Sequence, residues 1–407
     1  MPTFYEFFAG GGMARAGLGE AWQCLFANDF DEVKGAIYRT NWGDTDLIVD
    51  DVANVTTQHL PLNFHEGVPV HTDLAWASSP CQDLSLAGSG NGLGSREAET
   101  MTRSGTFWHF CGLIGGLVEE GRSPRLIVLE NVTGAITSHQ GKDFAAIINA
   151  FTGLGYRVGA VVIDAQSFLP QSRKRLFVIG VRQDLVIPGH IVVEQPTLPW
   201  HPKALTNAFI HLPSELQLDW IWWNMPEPPR RPQDFINIIE EYPTGVTWHT
   251  QAETNRVLEL MSEANLKKVR QAQKAGRPMV GGVYRRMRPD ASGKKVQRAE
   301  VRFDDVSGCL RTPSGGSSRQ VILLVDGDQI RSRLLSPREG ARLMGLPDHY
   351  ILPTRYNDAY HLTGDGVVVP VVQYLSQHIF EPVLAANETP QVQLPGAIMN
   401  EHNLVVT

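Results

Sequence analysis

A thiol, a carboxylate and two guanidinium groups stand where chemistry needs them. In "DLAWASSPCQDLSLAGSG", Asp73 to Gly90, an apolar run ends in two serines, and Pro80-Cys81-Gln82 follows before a Gly/Ser-rich loop. A structural cysteine belongs inside the apolar run. One placed after a backbone-fixing proline and ahead of a loop is presented to something. A free thiol, with a pKa near about 8.5, is a modest nucleophile until neighbouring cations lower it. "LPQSRKRLFVIG" supplies Arg173 and Arg175, two apart, so both point to one face of a strand. Glu130 ends the apolar "LIVLENV". A carboxyl group there can act as an acid or as a hydrogen-bond partner to a heterocycle. Singly, each has an ordinary reading, an inert thiol or a surface acid; their order along the chain is the informative part.

These groups need a scaffold that gathers strand ends. "TFYEFFAG", "QCLFANDF", "TDLIVDDV", "HTDLAWASS", "PRLIVLENV", "YRVGAVVIDA" and "KRLFVIGVR" read as strands, and "MARAGLGEAW", "DEVKGAIYRTNW" and "KDFAAIINAFTGLG" as helices between them. That alternation predicts an α/β fold with a doubly wound, mostly parallel sheet. Such sheets bind ligands at the carboxyl ends of their strands, where Gly10–Gly12, Asp29, Asp51, Pro80-Cys81 and Glu130-Asn131 fall. Gly10, Gly11 and Gly12 sit between a strand and a helix, where glycine lets the backbone approach a ligand. The dinucleotide fingerprint is broken, because its third glycine position holds Arg15. Asp29, a strand-end carboxylate about twenty residues on, suits ribose hydroxyls, and Asp51 could accept an adenine amino group.

Composition narrows the class. The 407 residues are 42% hydrophobic and 19% charged, which predicts a soluble globular protein of two domains. No apolar run is long enough for a bilayer, and the early Glu6 without a basic leader is unlike a secretory signal. The four cysteines lie far apart with no CxxC pair, which speaks against a zinc site or disulfide framework and suits a reducing cytoplasm. Net charge is -7, yet residues 264–302 hold twelve Lys/Arg against two acids, +10, leaving -17 for the rest. Such a block is the footprint of a phosphate partner, or else a solvated helix face or linker. It follows a Pro-rich stretch with scattered tryptophans after Arg182, which predicts an irregular second domain. Regularity returns near Arg333 with "LLSPREGARLMGLPDHY", a helix capped by Ser336 with Pro337 in its first turn. The tail "TGDGVVVPVVQYLSQHIFEPVLAA" reads as a glycine turn and an amphipathic helix. The expected division is 1–182 a first α/β domain, 183–332 a second, irregular domain, 333–390 a return to the first domain, and 391–407 a tail.

The motifs and their order resemble the DNA cytosine-5 methyltransferases of bacterial and phage type. "FFAGGGMARAGL" resembles the first S-adenosylmethionine motif, and "ANDFD" and "VDDV" the second and third. "SSPCQDLS" carries the Pro-Cys-Gln motif, "LENV" the Glu-Asn-Val motif, "QSRKR" the Gln-x-Arg-x-Arg motif, and "LLSPREGARLMGLPDHY" the ninth. The family's last motif reads Gly-Asn-Ala/Ser-Val, whereas this chain has "TGDGVVVP", with Asp365 at the Asn position. An ionised carboxylate accepts hydrogen bonds but cannot donate as an amide does.

The resemblance implies an S-adenosyl-L-methionine-dependent methyltransferase fold with a smaller irregular target-recognition domain, and no metal. It implies cofactor contacts from Phe8, Ala9, Gly10, Gly11, Gly12, Asp29, Phe30, Asp51, Val52, Pro80 and Asp365. It implies catalysis by Cys81, Glu130, Arg173 and Arg175 on a flipped cytosine of duplex DNA, and DNA contacts from Gln82, Ser85, Gln171, Arg285, Arg286 and Arg288. A cytoplasmic monomer, with a cognate restriction endonuclease acting separately, is the matching expectation. Alternatives stay open: a transfer-RNA cytosine-5 methyltransferase of the same fold, a silent nucleic-acid-binding relative, and, opposed by the broken fingerprint, an oxidoreductase.

Overall fold

A computed structural model describes residues 1–65, 68–80, 84, 93, 103–290, 292–311 and 319–388. Seven strands make the main sheet: β1 (Thr3–Phe7), β2 (Gln23–Asp29), β3 (Leu47–Val49), β4 (Leu74–Ala77), β5 (Leu126–Val132), β6 (Tyr156–Asp164) and β7 (Lys174–Arg182). Their order is β3-β2-β1-β4-β5-β7-β6. The first five pair in parallel, and β7 runs antiparallel to both β5 and β6. The sheet is therefore mostly parallel, as the alternating pattern predicts.

Period-two alternation sends each strand's side chains to two cores. Phe4, Leu74, Trp76, Leu126, Val128, Phe177 and Ile179 enter one. Tyr5, Phe7, Ala75, Ala77, Ile127 and Leu129 enter the other. The first core takes α1 (Met13–Leu18), and the second takes α3 (Phe107–Glu119) and α4 (Lys142–Gly153). Between β2 and β3 runs α2 (Glu32–Trp42), whose first turn is capped by the Asp31 carboxylate accepting from the Val33 and Lys34 amides. The sequence reading lacks α3. Its run "FWHFCGLIGGLVE" is apolar nearly all round and carries three glycines, so its helical periodicity is faint.

A separate antiparallel sheet holds β8 (Met279–Pro289), β9 (Lys295–Arg302), β10 (Val321–Asp326) and β11 (Gln329–Leu334), in the order β9-β8-β10-β11. Val283, Ala299, Val301, Val321, Leu323 and Val325 pack on the helices Gln251–Glu259 and Glu263–Gln273. The basic block is thus a helix and a hairpin, not a linker. The Pro-rich stretch after Arg182 does not leave the catalytic sheet at once: Val192–Val193 pair with Trp222–Trp223, Ile221 bridges to Gly159 on β6, and Trp200, Trp223 and Met225 enter the first core. Aromatic burial holds this stretch down where its prolines suggested a boundary.

The ninth-motif helix Pro337–Leu343 has the expected cap, with Ser336 and Glu339 forming a reciprocal capping box. Glu339 also meets Arg333 in a fully buried, two-pronged ion pair at 2.6 and 2.8 Å. The glycine turn expected at "TGDG" is instead the last turn of a helix, Tyr356–Asp365. The next helix, Val369–Leu375, returns to the catalytic sheet against α1, where a Cβ at Gly17 would strike Val372. No helix among the described residues is long and apolar enough to cross a membrane.

Candidate active site

The strand ends converge as the topology requires. At the end of β1 the chain turns through Phe8 (φ 57°) and Gly10 (φ 56°), a left-handed backbone that glycine adopts without strain. A Cβ on Gly10 would meet nothing within 4 Å, so this glycine faces open space. Gly11 is different: a Cβ there would strike the Tyr350 hydroxyl and Leu362. The Gly11 carbonyl accepts from Tyr350 Oη at 2.6 Å and from Trp42 Nε1 at 2.9 Å. Ala9 is buried and bonds backbone to backbone with Asn28.

Asp29 ends β2 and organises the turn beside it. Its Oδ2 accepts the Gly10 amide at 2.8 Å and its Oδ1 the Asp31 amide at 2.9 Å. Burial raises its pKa, and Lys34 opposes that rise. Phe30 is 68% exposed, a large aromatic ring left in solvent beside the glycine turn. Asp51 is exposed and caps a short helical turn through the Ala53 amide at 2.9 Å, while Val52 is buried in the second core. Asn28 sets this region by donating to the Ile48 and Asp50 carbonyls.

Asp365 faces the same corner. Its Oδ2 accepts from Lys34 Nζ at 2.8 Å, with Lys34 and Asp365 side chains 17% and 30% exposed. Burial would lower the Lys34 pKa, but Asp365 and Asp29 together raise it. The departure from the family's Asn is thus matched by a cation on α2. Beneath the turn, Glu6 is fully buried, accepts from the Ala14 and Arg15 amides, and has its pKa pushed up to about 8 by burial.

The second half of the site lies at β5 and β7. Glu130 and Arg175 share a sheet face as diagonal neighbours two residues out of register, since Glu130 is opposite Phe177 and Val132 opposite Arg175. Arg175 Nε meets Glu130 Oε1 at 3.0 Å with both side chains largely buried. Burial raises the Glu130 pKa, and Arg175 and Arg173 pull against it. Asn131 donates to the Ser79 carbonyl and hydroxyl at 3.3 and 3.2 Å. That ties the strand carrying Glu130 to Ser79-Pro80, the half-buried approach to Cys81. Cys81, Gln82 and Ser85 lie outside the described residues.

Arg173 and Gln171 correct the sequence reading. Arg173 is 2% exposed and spends its guanidinium on carbonyl oxygens: Leu310 at 3.1 Å, Gly364 at 3.0 Å and Gly366 at 2.7 Å, with Cys309 Sγ at 3.4 Å. It holds backbone and is not presented to a base. Gln171, expected on DNA, is fully buried; its amide donates to Leu343 O at 2.6 Å and its carbonyl accepts from Leu310 N at 3.1 Å. Cys309, which no sequence signal marked, stands beside both arginines. Burial alone would raise its pKa, but Arg173 and Arg175 hold it below the ordinary thiol value.

The β8–β9 hairpin sorts the basic residues by face. Tyr284, Arg286 and Arg288 alternate onto one side, and Tyr284 Oη donates to Cys309 O at 2.8 Å, so this side looks toward the site. Arg286 lies directly opposite Arg298, and Glu300 lies between Arg286 (3.5 Å) and Arg288 (2.6 Å). Arg285 falls on the other face with Val283 and Ala299, close enough to His249 to depress that imidazole's pKa behind the larger effect of burial. It is therefore not grouped with Arg286 and Arg288.

Known proteins match this chain over most of its length. The family model of C-5 cytosine-specific DNA methylases matches residues 2–381. The Escherichia coli K12 DNA-cytosine methyltransferase is 31% identical, covering 93% of this chain and 77% of its own. The type II methyltransferase M.HpaII of Haemophilus parainfluenzae is 24% identical, covering 93% and 89%. In fold, the solved Entamoeba histolytica methyltransferase EhMeth superposes with a TM-score of 0.59 at 13% identity, covering 94% of this chain and 98% of its own. An α/β sheet with a separate antiparallel sheet, and a family match that spans nearly every element, place this chain among the C-5 cytosine-specific DNA methyltransferases.

Proposed function

We propose that this enzyme transfers a methyl group from S-adenosyl-L-methionine to C5 of a cytosine flipped out of a specific duplex DNA sequence, through a covalent adduct of Cys81. The buried Glu130–Arg175 pair, tied by Asn131 to the approach to Cys81, is the observation that carries this reading.

The corner between Gly10, Asp29, Phe30 and Asp365 fits the cofactor. Gly10 leaves room for close approach, Asp29 offers the free lone pairs of its carboxylate to ribose hydroxyls, and Phe30 offers an exposed ring face. Bound there, S-adenosylmethionine supplies an electrophilic methyl. Asp51 takes the adenine amino group, Phe8, Ala9, Gly11 and Gly12 shape the turn beneath, Val52 and Pro80 close the walls, and Asp365 meets the methionine end with its charge set by Lys34.

C5 of cytosine is too electron-poor to attack a methyl unaided. The Cys81 thiolate adds to C6, forming the S–C6 bond as the C5=C6 π pair moves to C5. Glu130 hydrogen-bonds the N3/N4 edge of the base and offsets charge that develops on the ring. Arg175 holds Glu130 in place and faces the pyrimidine carbonyl. C5 would take the methyl as the sulfonium S–CH3 bond breaks and its electron pair stays on sulfur, leaving S-adenosylhomocysteine; a water-borne base then removes the C5 proton, and the returning electron pair expels Cys81. A duplex base cannot reach this site in the stack, and the handful of kilocalories for flipping comes from protein contacts. Gln82 and Ser85 contact the DNA beside it.

Arg286 and Arg288 face the duplex, where a phosphate between them and Arg298 would relieve the like-charge opposition across the hairpin. The partner is duplex DNA, a cognate restriction endonuclease acts separately, and the enzyme works as a cytoplasmic monomer. The test is transfer of labelled methyl from S-adenosylmethionine to duplex DNA and, in parallel, to transfer RNA, with Cys81→Ala as control. Label in DNA that vanishes in the variant supports the proposal. Label confined to RNA replaces the substrate, and label that survives Cys81→Ala removes the adduct.

A further inference from the structure

Arg173 joins three segments that are remote in sequence, and two of them belong to different halves of the site. Gly364 and Gly366 flank Asp365, the partner of Lys34, and a Cβ on Gly366 would strike Met13 at the start of α1. Leu362, one turn earlier, packs under Gly11. This is the cofactor side. Cys309 and Leu310 belong to the other side: Tyr284, on the hairpin face of Arg286 and Arg288, bonds the Cys309 carbonyl. The backbone of Arg173 is itself fixed, its amide to Asp164 Oδ1 at 2.9 Å and its carbonyl to the Ala165 amide at 3.0 Å.

A guanidinium that merely filled space would be satisfied by its own element. This one bridges two others, and its donors lie in a rigid plane, so three carbonyl oxygens are held in one geometry. Shifting either segment breaks bonds to the other. We infer that Arg173 is a positioning residue that fixes the cofactor-side turn and the DNA-side segment Cys309–Leu310 relative to each other, so that occupancy of one is felt at the other. The inference rests on the proposed function, since it takes the two segments to border cofactor and DNA.

The test compares the affinity for S-adenosylhomocysteine, by calorimetry, with and without a saturating duplex that the wild-type enzyme methylates. The wild-type ratio is expected to depart from one by about fivefold or more, the ordinary scale of coupling between sites. Arg173→Lys keeps the charge and loses the planar fork; its ratio is expected to fall within about twofold of one. Cys309→Ala removes one neighbour of Nη1 and leaves the guanidinium, and its ratio is expected between the two. A general loss of stability would weaken both affinities and leave the ratio standing. A wild-type ratio of one overturns the inference, as does a wild-type ratio retained in Arg173→Lys. If that variant does not fold, retention in Cys309→Ala overturns it. A wild-type protein that methylates no DNA sinks the functional reading by a different readout and takes the inference with it.

Discussion

Asp365→Asn restores the residue the family carries, and the structure says it should weaken the enzyme. Lys34 meets Asp365 at 2.8 Å and its pKa is raised by both Asp365 and Asp29. Exposed ion pairs contribute about 0–1 kcal/mol, and removing one partner of a fully buried pair costs about 3–5 kcal/mol. With side chains 17% and 30% exposed, this pair lies between, so a loss of about 1–2 kcal/mol is expected. The amide leaves Lys34 with Asp29 and Asp31 as its nearby acids. Asp29 holds the Gly10 amide, a bond that a shift of Lys34 toward Asp29 would disturb, so cofactor affinity should fall by up to about tenfold, the equivalent of ~1.4 kcal/mol. The assay is calorimetric titration with S-adenosylhomocysteine alongside chemical denaturation. Lys34→Met with Asp365→Asn completes a cycle, and the double variant should lose less than the sum of the singles. Unchanged affinity and stability in Asp365→Asn, or strict additivity in the cycle, would refute the coupling.

Other consequences follow from the same geometry. Glu130→Gln should cut methyl transfer by about a hundredfold or more, the ordinary loss of an acid–base group, while binding of S-adenosylhomocysteine stays as it was; a loss of cofactor binding instead would place Glu130 elsewhere. Arg286→Ala and Arg288→Ala should each lower the salt dependence of DNA binding by about 0.9 in log–log slope, while Arg285→Ala, on the opposite face, changes it less. Glu339→Gln should destabilise the fold by about 3–5 kcal/mol, because it strands Arg333 in the core; a denaturation midpoint near wild type would contradict that. Glu6 has its pKa raised to about 8 when folded. A raised carboxyl favours folding while protonated, so wild-type stability should decline from about pH 4.5 to 8 and level off above. Glu6→Gln should flatten that decline, and parallel pH profiles for the two proteins would count against the assignment.

The fold was legible because its signals are local. Every strand of the main sheet but β3 carries a buried run, and the alternation of runs and helices marks the parallel pairing of the first five strands. Helix α3 escaped because its glycines and continuous apolarity hide the periodicity. The basic block escaped as structure because its charges mask alternation: in β8 and β9 only Met279, Val283, Ala299 and Val301 mark the inner face. The stretch after Arg182 reads as irregular by its prolines, yet Trp200 and Trp223 bury it against the sheet. Composition marks a turn but not what the turn packs on.

The site divides the same way. Asp29, Glu130 and Arg175 sit at strand ends, and a strand end in a parallel sheet is a position that sequence order can locate. Lys34, Cys309 and Asn131 act through partners 331, 136 and 52 residues away, and no spacing rule reaches that far. Arg173 shows the cost of reading types without partners. Two arginines two residues apart do share a face, as the period requires, but one ends beside a carboxylate and the other among carbonyl oxygens. The difference is made by which chain segments return to that corner, from residues 309–310 and 364–366. A guanidinium whose two terminal nitrogens are aimed at backbone carbonyls cannot also turn them to a base. The equal standing that sequence gives Arg173 and Arg175 is therefore broken only by long-range topology, and their substitution should separate accordingly: Arg175→Lys acting on the chemical step with S-adenosylhomocysteine binding intact, Arg173→Lys acting on how cofactor and DNA binding depend on each other.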